Sequence, residues 1–210
     1  MKKEFSIKVS GLEKQFGSDR LFRNLDMELH APESLAILGA NGSGKSTLLK
    51  LLATSLLPGK GQVQYLENGR ILKSEEVYKS ISFCAPYLEV IEEFNLQEFF
   101  EYHFSFKKNL LPVPDIIQLT GLSHTGSKSI EKFSSGMKQR VKLAQAILSD
   151  TPVLLLDEPC TNLDEEGIAL YYHMMKEFTR DRIVVVASND EKEYRVCSRQ
   201  FNLAGYASQR

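Results

Sequence analysis

The stretch that most constrains this chain runs from Leu35 to Leu52. An apolar run, Leu35-Ala36-Ile37-Leu38, leads into Gly39-Ala40-Asn41-Gly42-Ser43-Gly44-Lys45-Ser46-Thr47 and then into Leu48-Leu49-Lys50-Leu51-Leu52. That order reads as strand, glycine-rich turn and helix, with the spacing G-x-x-x-x-G-K-[ST]. Glycines let backbone N–H groups curl around phosphate oxygens, and a helix opening near Lys45 adds its unpaired N–H groups and positive dipole end. In such a loop Lys45 reaches the β- and γ-phosphates of a nucleoside triphosphate, and Ser46 ligates Mg²⁺.

The rest of the chain supplies a sheet for that loop. Ile81-Ser82-Phe83-Cys84, Val153-Leu154-Leu155-Leu156 and Ile183-Val184-Val185-Val186-Ala187 are short and nearly continuous apolar runs, as strands buried on both faces are. They belong in a parallel sheet with Leu35–Leu38. Phe5–Val9, Leu25–Leu29 and Gln62–Leu66 instead alternate apolar and polar residues, which predicts a small antiparallel layer beside it. Between about 87 and 150 no comparable strand run occurs. Residues 94–106 are rich in aromatics that read as a helix with its own small core, and Pro112 and Pro114 break the segment. From Gly136 the apolar positions Met137, Val141, Ala144, Ile147 and Leu148 follow helical spacing to about Asp150. The expected fold is α/β: one domain over 1–210, with a nucleotide-binding core and β layer from 1–86 and 151–210 and an inserted helical lobe at 87–150.

Charge and composition exclude several classes. Twenty-six Lys and Arg against 27 Asp and Glu leave a net charge of −1, unlike the basic footprint of a nucleic-acid binder. Cys84, Cys160 and Cys197 are widely spaced and lack zinc-site spacing, so they read as reduced thiols in a cytoplasmic protein. Met1-Lys2-Lys3-Glu4-Phe5 does not lead into the apolar stretch of a signal peptide. No window approaches the ~20 apolar residues of a membrane span, so work at a membrane implies a separate membrane subunit.

A second chemical site follows from Val153-Leu154-Leu155-Leu156-Asp157-Glu158-Pro159, an apolar strand ending in two carboxylates. Asp157 is placed to hold Mg²⁺, and Glu158, one residue on, to polarise the water that attacks the γ-phosphate. Shortly before that strand, Phe133-Ser134-Ser135-Gly136-Met137-Lys138-Gln139-Arg140 resembles the signature segment, L-S-G-G-Q-x-Q-R, of the ATP-binding cassette (ABC) ATPases. The resemblance covers nearly the whole chain. The order of glycine-rich loop, signature and carboxylate pair separates it from small GTPases and simple kinases.

The resemblance implies a P-loop cassette with a central, mostly parallel sheet, an antiparallel β layer and an inserted helical lobe. It implies that Ser134, Ser135, Gly136 and Met137 cap the γ-phosphate of ATP bound to a second cassette, with Ser134 otherwise an ordinary helix cap. Thr161-Asn162-Leu163-Asp164 is similar to the D-loop, whose aspartate, Asp164, helps join two cassettes and equally reads as the cap of the helix that follows. Phe16 resembles the aromatic that stacks on adenine, and reads alternatively as a core phenylalanine.

Three departures bear on function. Pro86 stands where the family places the Q-loop glutamine, and Asn189 stands where it places the switch histidine. Asn189 takes no proton yet still donates a hydrogen bond to the γ-phosphate, which implies slower hydrolysis. Ser135 and Met137 replace the usual glycine and glutamine of the signature. The acidic and aromatic stretch Glu89, Glu92, Glu93 and Phe94 reads either as a groove for a helix of a membrane subunit or as a solvated surface.

The expected function is the ATP-hydrolysing subunit of an exporter-like ABC transporter of haem-exporter or drug-resistance type, with ATP and Mg²⁺ as cofactors. Its expected partners are an integral membrane permease and a second cassette, in a homodimer on the cytoplasmic face of the membrane, without nucleic acid. The alternatives are a nucleotide-gated regulatory cassette with little hydrolysis, motivated by Pro86 and Asn189, and a soluble non-transport ABC ATPase. The chain runs only a few residues past Phe201–Gly205, which implies no appended regulatory domain.

Overall fold

A computed structural model of the chain describes residues 4–206. The reading of Met1-Lys2-Lys3 as free of a leader, and the tail after Tyr206, lie outside the described residues. The elements run β1 (Phe5–Phe16), β2 (Asp19–His30), β3 (Glu33–Leu38), α1 (Lys45–Leu52), β4 (Lys60–Glu67), β5 (Arg70–Ile71), α2 (Ser74–Ser80) and β6 (Ile81–Cys84). There follow α3 (Leu96–Phe106), α4 (Val113–Leu119), α5 (Ser135–Ile147), β7 (Val153–Asp157), α6 (Glu165–Phe178), β8 (Ile183–Ala187), α7 (Glu191–Tyr194) and β9 (Arg199–Asn202).

Two sheets form the frame. The parallel sheet has the order β6-β7-β8-β3-β9, and the antiparallel sheet the order β2-β1-β4-β5. The apolar runs of β7 and β8 are continuous because both faces of the sheet are covered. Val153, Leu155, Ile183 and Val185 point into a core shared with α1 and the antiparallel sheet. Leu154, Leu156, Val184 and Val186 point the other way, into a core built with α3, α5 and α6. Side chains alternate faces along a strand, so each neighbouring pair divides between the two cores.

The antiparallel sheet shows the opposite pattern. Phe5, Ile7, Val9, Leu25, Met27 and Leu29 are buried, while Lys8, Asp26, Glu28 and His30 face solvent. Ile7 pairs with Leu29 on one side and Tyr65 on the other, so the apolar face is continuous across three strands. At about 25 cal/mol per Å² of apolar surface, a fully buried leucine or isoleucine contributes roughly 1.5–3 kcal/mol, and both cores are lined with such residues.

The expected α/β architecture is present. Of the three antiparallel strands expected as five-residue segments, β1 and β2 extend to 12 residues each and β4 to 8. The helix expected to reach Asp150 ends at Ile147, where Leu148 leaves helical geometry and Ser149 turns its hydroxyl back onto the Gln145 carbonyl. The parallel sheet also has an edge strand, β9, that pairs with β3. Its sequence, Arg199-Gln200-Phe201-Asn202, is mostly polar because it is exposed at the sheet margin.

Candidate functional site

The carboxyl ends of β3, β7 and β8 lie side by side, where ligands bind in open α/β sheets. The glycine-rich loop leaves β3 with Gly42 and Gly44 at φ of 79° and 99°, left-handed values that side chains with a Cβ rarely adopt. Gly44 is the N-cap of α1 and has no side chain to cap it, so no N-cap side chain claims the first N–H groups of the helix. Lys45 is 6% exposed, and its ammonium donates to the carbonyls of Gly39 at 2.7 Å and Ala40 at 3.2 Å.

Across the loop, Asp157 ends β7 and is buried. Burial raises its carboxyl pKa above the ordinary value, against the pull of a hydrogen bond with Ser46 and the positive charges of Lys45 and Lys50. Its Oδ1 has no hydrogen-bond partner. A buried carboxylate oxygen left without a partner is costly, and together with the neighbouring Ser46 hydroxyl it makes a hard-oxygen donor set that fits Mg²⁺.

Glu158 is exposed and adopts φ 43°, an uncommon value for a residue other than glycine. Its N–H donates to the Ala187 carbonyl at 3.0 Å, and its carbonyl accepts from the Thr161 N–H at 3.2 Å. Glu158 and Asn189 line one cleft of about 410 Å³. Asn189 is also tied to the glycine-rich loop: its Oδ1 accepts from the Gly39 N–H at 3.4 Å, and its Nδ2 donates to Asn41 Oδ1 at 3.0 Å. Glycine-rich loop, carboxylate pair and Asn189 thus share one end of the sheet. Pro86, exposed after β6, presents only its carbonyl, which accepts from the Lys142 ammonium at 3.3 Å.

The segment Ser134–Met137 opens α5. Ser134 caps the helix, accepting from the Met137 N–H at 3.2 Å. Ser134, Ser135, Gly136, Met137, Arg140 and Asp164 line a second cleft of about 420 Å³, which contains no residue of Gly39–Thr47. Gly136 is required there: a Cβ at this position would lie 2.9 Å from the Asn162 carbonyl oxygen. Asp164 caps α6 by accepting from the Gly167 N–H at 2.8 Å. That bond, with a second from Arg140, holds its carboxyl below the usual aspartate value.

Phe16 ends β1 and is 52% exposed, with the Lys14 ammonium 5.0 Å from its ring centroid. Of the two readings of Phe16, the core alternative does not hold: the ring lies outside both cores. Of the acidic stretch, Glu92 accepts from Lys138 at 2.6 Å, and Glu89 and Glu93 are exposed. The three cysteines are unpaired, and burial pushes each thiol up to about 12. No helix among the described residues is long and apolar enough to cross a membrane.

Residues 22–161 match the family model described as ABC transporter, and that span holds the glycine-rich loop, the signature segment and the carboxylate pair. The chain belongs to the ABC transporter family. The cassette is 30% identical over 196 residues to the ABC transporter ATP-binding protein YybJ of Bacillus subtilis, covering 89% of this chain and 87% of the relative. It is also 30% identical over 169 residues to the daunorubicin resistance ATP-binding protein DrrA3 of Streptomyces coeruleorubidus, covering 78% of this chain and 54% of that one. The match to YcbN of Bacillus subtilis likewise covers 54% of the relative, so the cassette spans about half the length of several curated relatives. In fold it is similar to the cassette MJ0796, solved as a dimer in a post-hydrolysis state with ADP and Pi. The TM-score is 0.81 at 21% identity, over 97% of each chain.

Two buried polar residues at this site, Gln139 and Glu193, escaped the sequence reading. Gln139 sits in the signature segment but was legible there only as part of a motif, and nothing in Asp190-Glu191-Lys192-Glu193 marks which carboxylate turns inward.

Proposed function

We propose that this cassette is the ATP-binding and ATP-hydrolysing subunit of an ABC transporter, two copies of which close over two ATP molecules to drive a separate membrane permease. The observation that carries this reading is the buried Asp157 carboxylate, hydrogen-bonded to Ser46 beside the glycine-rich loop and left with one oxygen unpartnered.

The loop N–H groups and Lys45 hold the triphosphate, with the Lys45 ammonium moving from the Gly39 and Ala40 carbonyls to the β- and γ-phosphates. Ser46 and Asp157 would hold Mg²⁺, which when bound would supply positive charge against the phosphate oxygens. The Glu158 carboxylate accepts a proton from water as the water oxygen bonds to the γ-phosphorus and the bond to the β–γ bridging oxygen breaks, releasing ADP and phosphate. Asn189 donates its amide N–H to a γ-phosphate oxygen, and Phe16 stacks on the adenine.

Because the cleft of Ser134–Met137 includes no residue of Gly39–Thr47, we assign it to the ATP of a second cassette, with Asp164 near the junction. Residues 87–150 form the lobe that carries this segment. The names of DrrA3, a daunorubicin resistance ATP-binding protein, and of the bacitracin transport ATP-binding protein BcrA of Bacillus licheniformis, 28% identical over 184 residues, support a transporter as the assembly and so a membrane permease as the partner. With such a partner the cassette works on the cytoplasmic face of the membrane. A second reading, a nucleotide-gated cassette with little hydrolysis, draws on Asn189 being bonded to Asn41 and on Pro86 lacking a side-chain donor.

Phosphate release by the purified protein decides between them. Turnover that vanishes in Glu158→Gln and Lys45→Ala supports the enzyme reading, and absence of Glu158-dependent release supports the gated one. Ser134→Arg abolishes turnover while sparing ATP binding if the site is shared, and retained turnover would sink the two-cassette arrangement.

A further inference from the structure

Glu158 holds a left-handed backbone conformation that a glutamate rarely adopts, and such a residue persists only where its surroundings over-determine it. The peptide plane that joins Pro159 to Cys160 shows what does so. Its carbonyl accepts from Gln139 Nε2 at 2.7 Å, and its N–H donates to Glu193 Oε1 at 2.7 Å. Both side chains are nearly out of reach of solvent, Gln139 at 2% and Glu193 at 5% exposure. One peptide unit is therefore gripped at both ends, from α5 on one side and α7 on the other.

The second oxygen of Glu193 accepts the Ser188 hydroxyl, immediately before Asn189. Ser188 Oγ also accepts from the Asp190 N–H at 2.9 Å, and the Tyr171 hydroxyl donates to the Glu193 carbonyl at 2.7 Å, which fixes the short helix to α6. Burial raises the Glu193 carboxyl pKa, and the bonds from Ser188 and from the Cys160 N–H act against that rise. A buried carboxylate with no cation bonded to it is a costly way to fill a core, and an apolar side chain of like volume would remove the cost. What the carboxylate supplies and an apolar residue does not is a common anchor for the turn after Glu158 and the strand end before Asn189.

We propose that Gln139 and Glu193 are positioning residues for hydrolysis, which clamp the Pro159–Cys160 peptide so that Glu158 stays aimed at the same cleft as Asn189. This rests on the assignment of Glu158 as the base. Gln139 lies in the helix that Ser134 opens, so the clamp also joins the signature helix to the carboxylate turn within one chain.

The test is steady-state phosphate release by the full chain as Gln139→Leu, Glu193→Ala, Glu193→Gln and the double variant Gln139→Leu/Glu193→Ala. Glu158→Gln runs alongside, with affinity for a trinitrophenyl ATP analogue and melting temperature measured on each. Misplacing a catalytic group by about 1 Å can cost about 100-fold, so Gln139→Leu and Glu193→Ala should lower kcat by about 30-fold or more. KM and analogue affinity should stay within about twofold, because uniform binding is untouched. Glu193→Gln keeps an oxygen for the Cys160 N–H and should recover kcat to within about threefold of the native value. The double variant should lose little more than the worse single one, since both side chains act on one peptide.

The inference fails if the folded single variants keep kcat within about threefold, if KM rises as much as kcat falls, or if Glu193→Gln is as impaired as Glu193→Ala. Should Glu193→Ala not fold, Gln139→Leu decides by the same criteria. Retained turnover in Glu158→Gln removes the base assignment and this inference with it. An inactive Glu158→Gln beside fully active clamp variants removes this inference alone.

Discussion

The Arg140 guanidinium lies 2.7 Å from the Asp164 carboxylate, so the helix that Ser134 opens is tied directly to the cap of the next one. Arg140 is mostly covered and Asp164 mostly exposed, which leaves one face of the carboxylate open toward solvent. Within one chain the signature segment and the loop before α6 are thereby coupled. Arg140→Ala should lower ATP turnover several-fold while the melting temperature hardly changes, because Asp164 keeps its cap bond to the Gly167 N–H. Arg140→Lys should restore little, as an ammonium lacks the planar fork. A drop in turnover matched by loss of helix content would contradict this.

The close approach at Gly136 gives a sharper test. A Cβ there must displace the Asn162 carbonyl, which belongs to backbone and does not yield as a flexible side chain would. Gly136→Ala should destabilise by about 1–3 kcal/mol, the usual cost of overpacking. For a chain of this size each kcal/mol lowers the melting temperature by roughly 2–4 °C. Calorimetry checks the expectation, and an unchanged melting temperature would show that the two loops separate freely.

Phe16 separates stability from binding. As an exposed ring it should tolerate Phe16→Ala within about 0.5 kcal/mol of stability. Loss of a stacked base costs roughly 1–3 kcal/mol, so ATP affinity should fall by about tenfold or more. Phe16→Tyr should bind as the native protein does. Equilibrium binding of a fluorescent ATP analogue measures both, and equal affinity in Phe16→Ala would place the adenine elsewhere.

A dependence on Mg²⁺ is expected from the role proposed for Asp157. Its ionised carboxylate is buried at a cost that Ser46 and Lys45 only partly offset. Asp157→Asn should therefore raise the melting temperature in the absence of metal, and should abolish the further rise that Mg²⁺ with a non-hydrolysable ATP analogue gives the native cassette. A metal-dependent rise that survived the substitution would place the ion on other ligands.

An acid limb in stability is expected from His103. Gln145 Nε2 donates to its Nδ1 at 2.9 Å, and its Nε2 lies 3.0 Å from Ser149 Oγ, whose own proton goes to the Gln145 carbonyl. That set of partners suits only the neutral ring, and burial, followed by the Lys107 charge, lowers its pKa to about 4. Between pH 4 and 6.5 the unfolded chain binds the extra proton, so stability rises with pH through this window and is lost as pH falls. After allowance for partial exposure the effect is about 2 kcal/mol, and urea unfolding of His103→Gln should show a flatter profile.

Much of the architecture was legible because its signals are local. The continuous apolar runs of β7 and β8 state that both sheet faces are covered, and the alternation in β1 and β2 states that one face is not. Glycines around Lys45, the carboxylates ending β7 and the serine before α5 each carry their chemistry in adjacent residues. The strand β9 and the burial of Gln139 and Glu193 do not, because polar residues acquire their places only from neighbours distant in the chain. Phe16 was open between core and surface for the same reason: one aromatic at a strand end has no period to fix its face.

By itself the sequence determined a strand, glycine-rich loop and helix of the form that suits a triphosphate, since glycine spacing and helix polarity act over a few residues. The tertiary structure decided that Asn189 meets Gly39 and Asn41, separated from them by about 150 positions, and that one peptide after Glu158 is held by Gln139 and Glu193. Those contacts depend on which strands lie side by side and on which polar groups burial leaves in need of partners, and no local pattern encodes either.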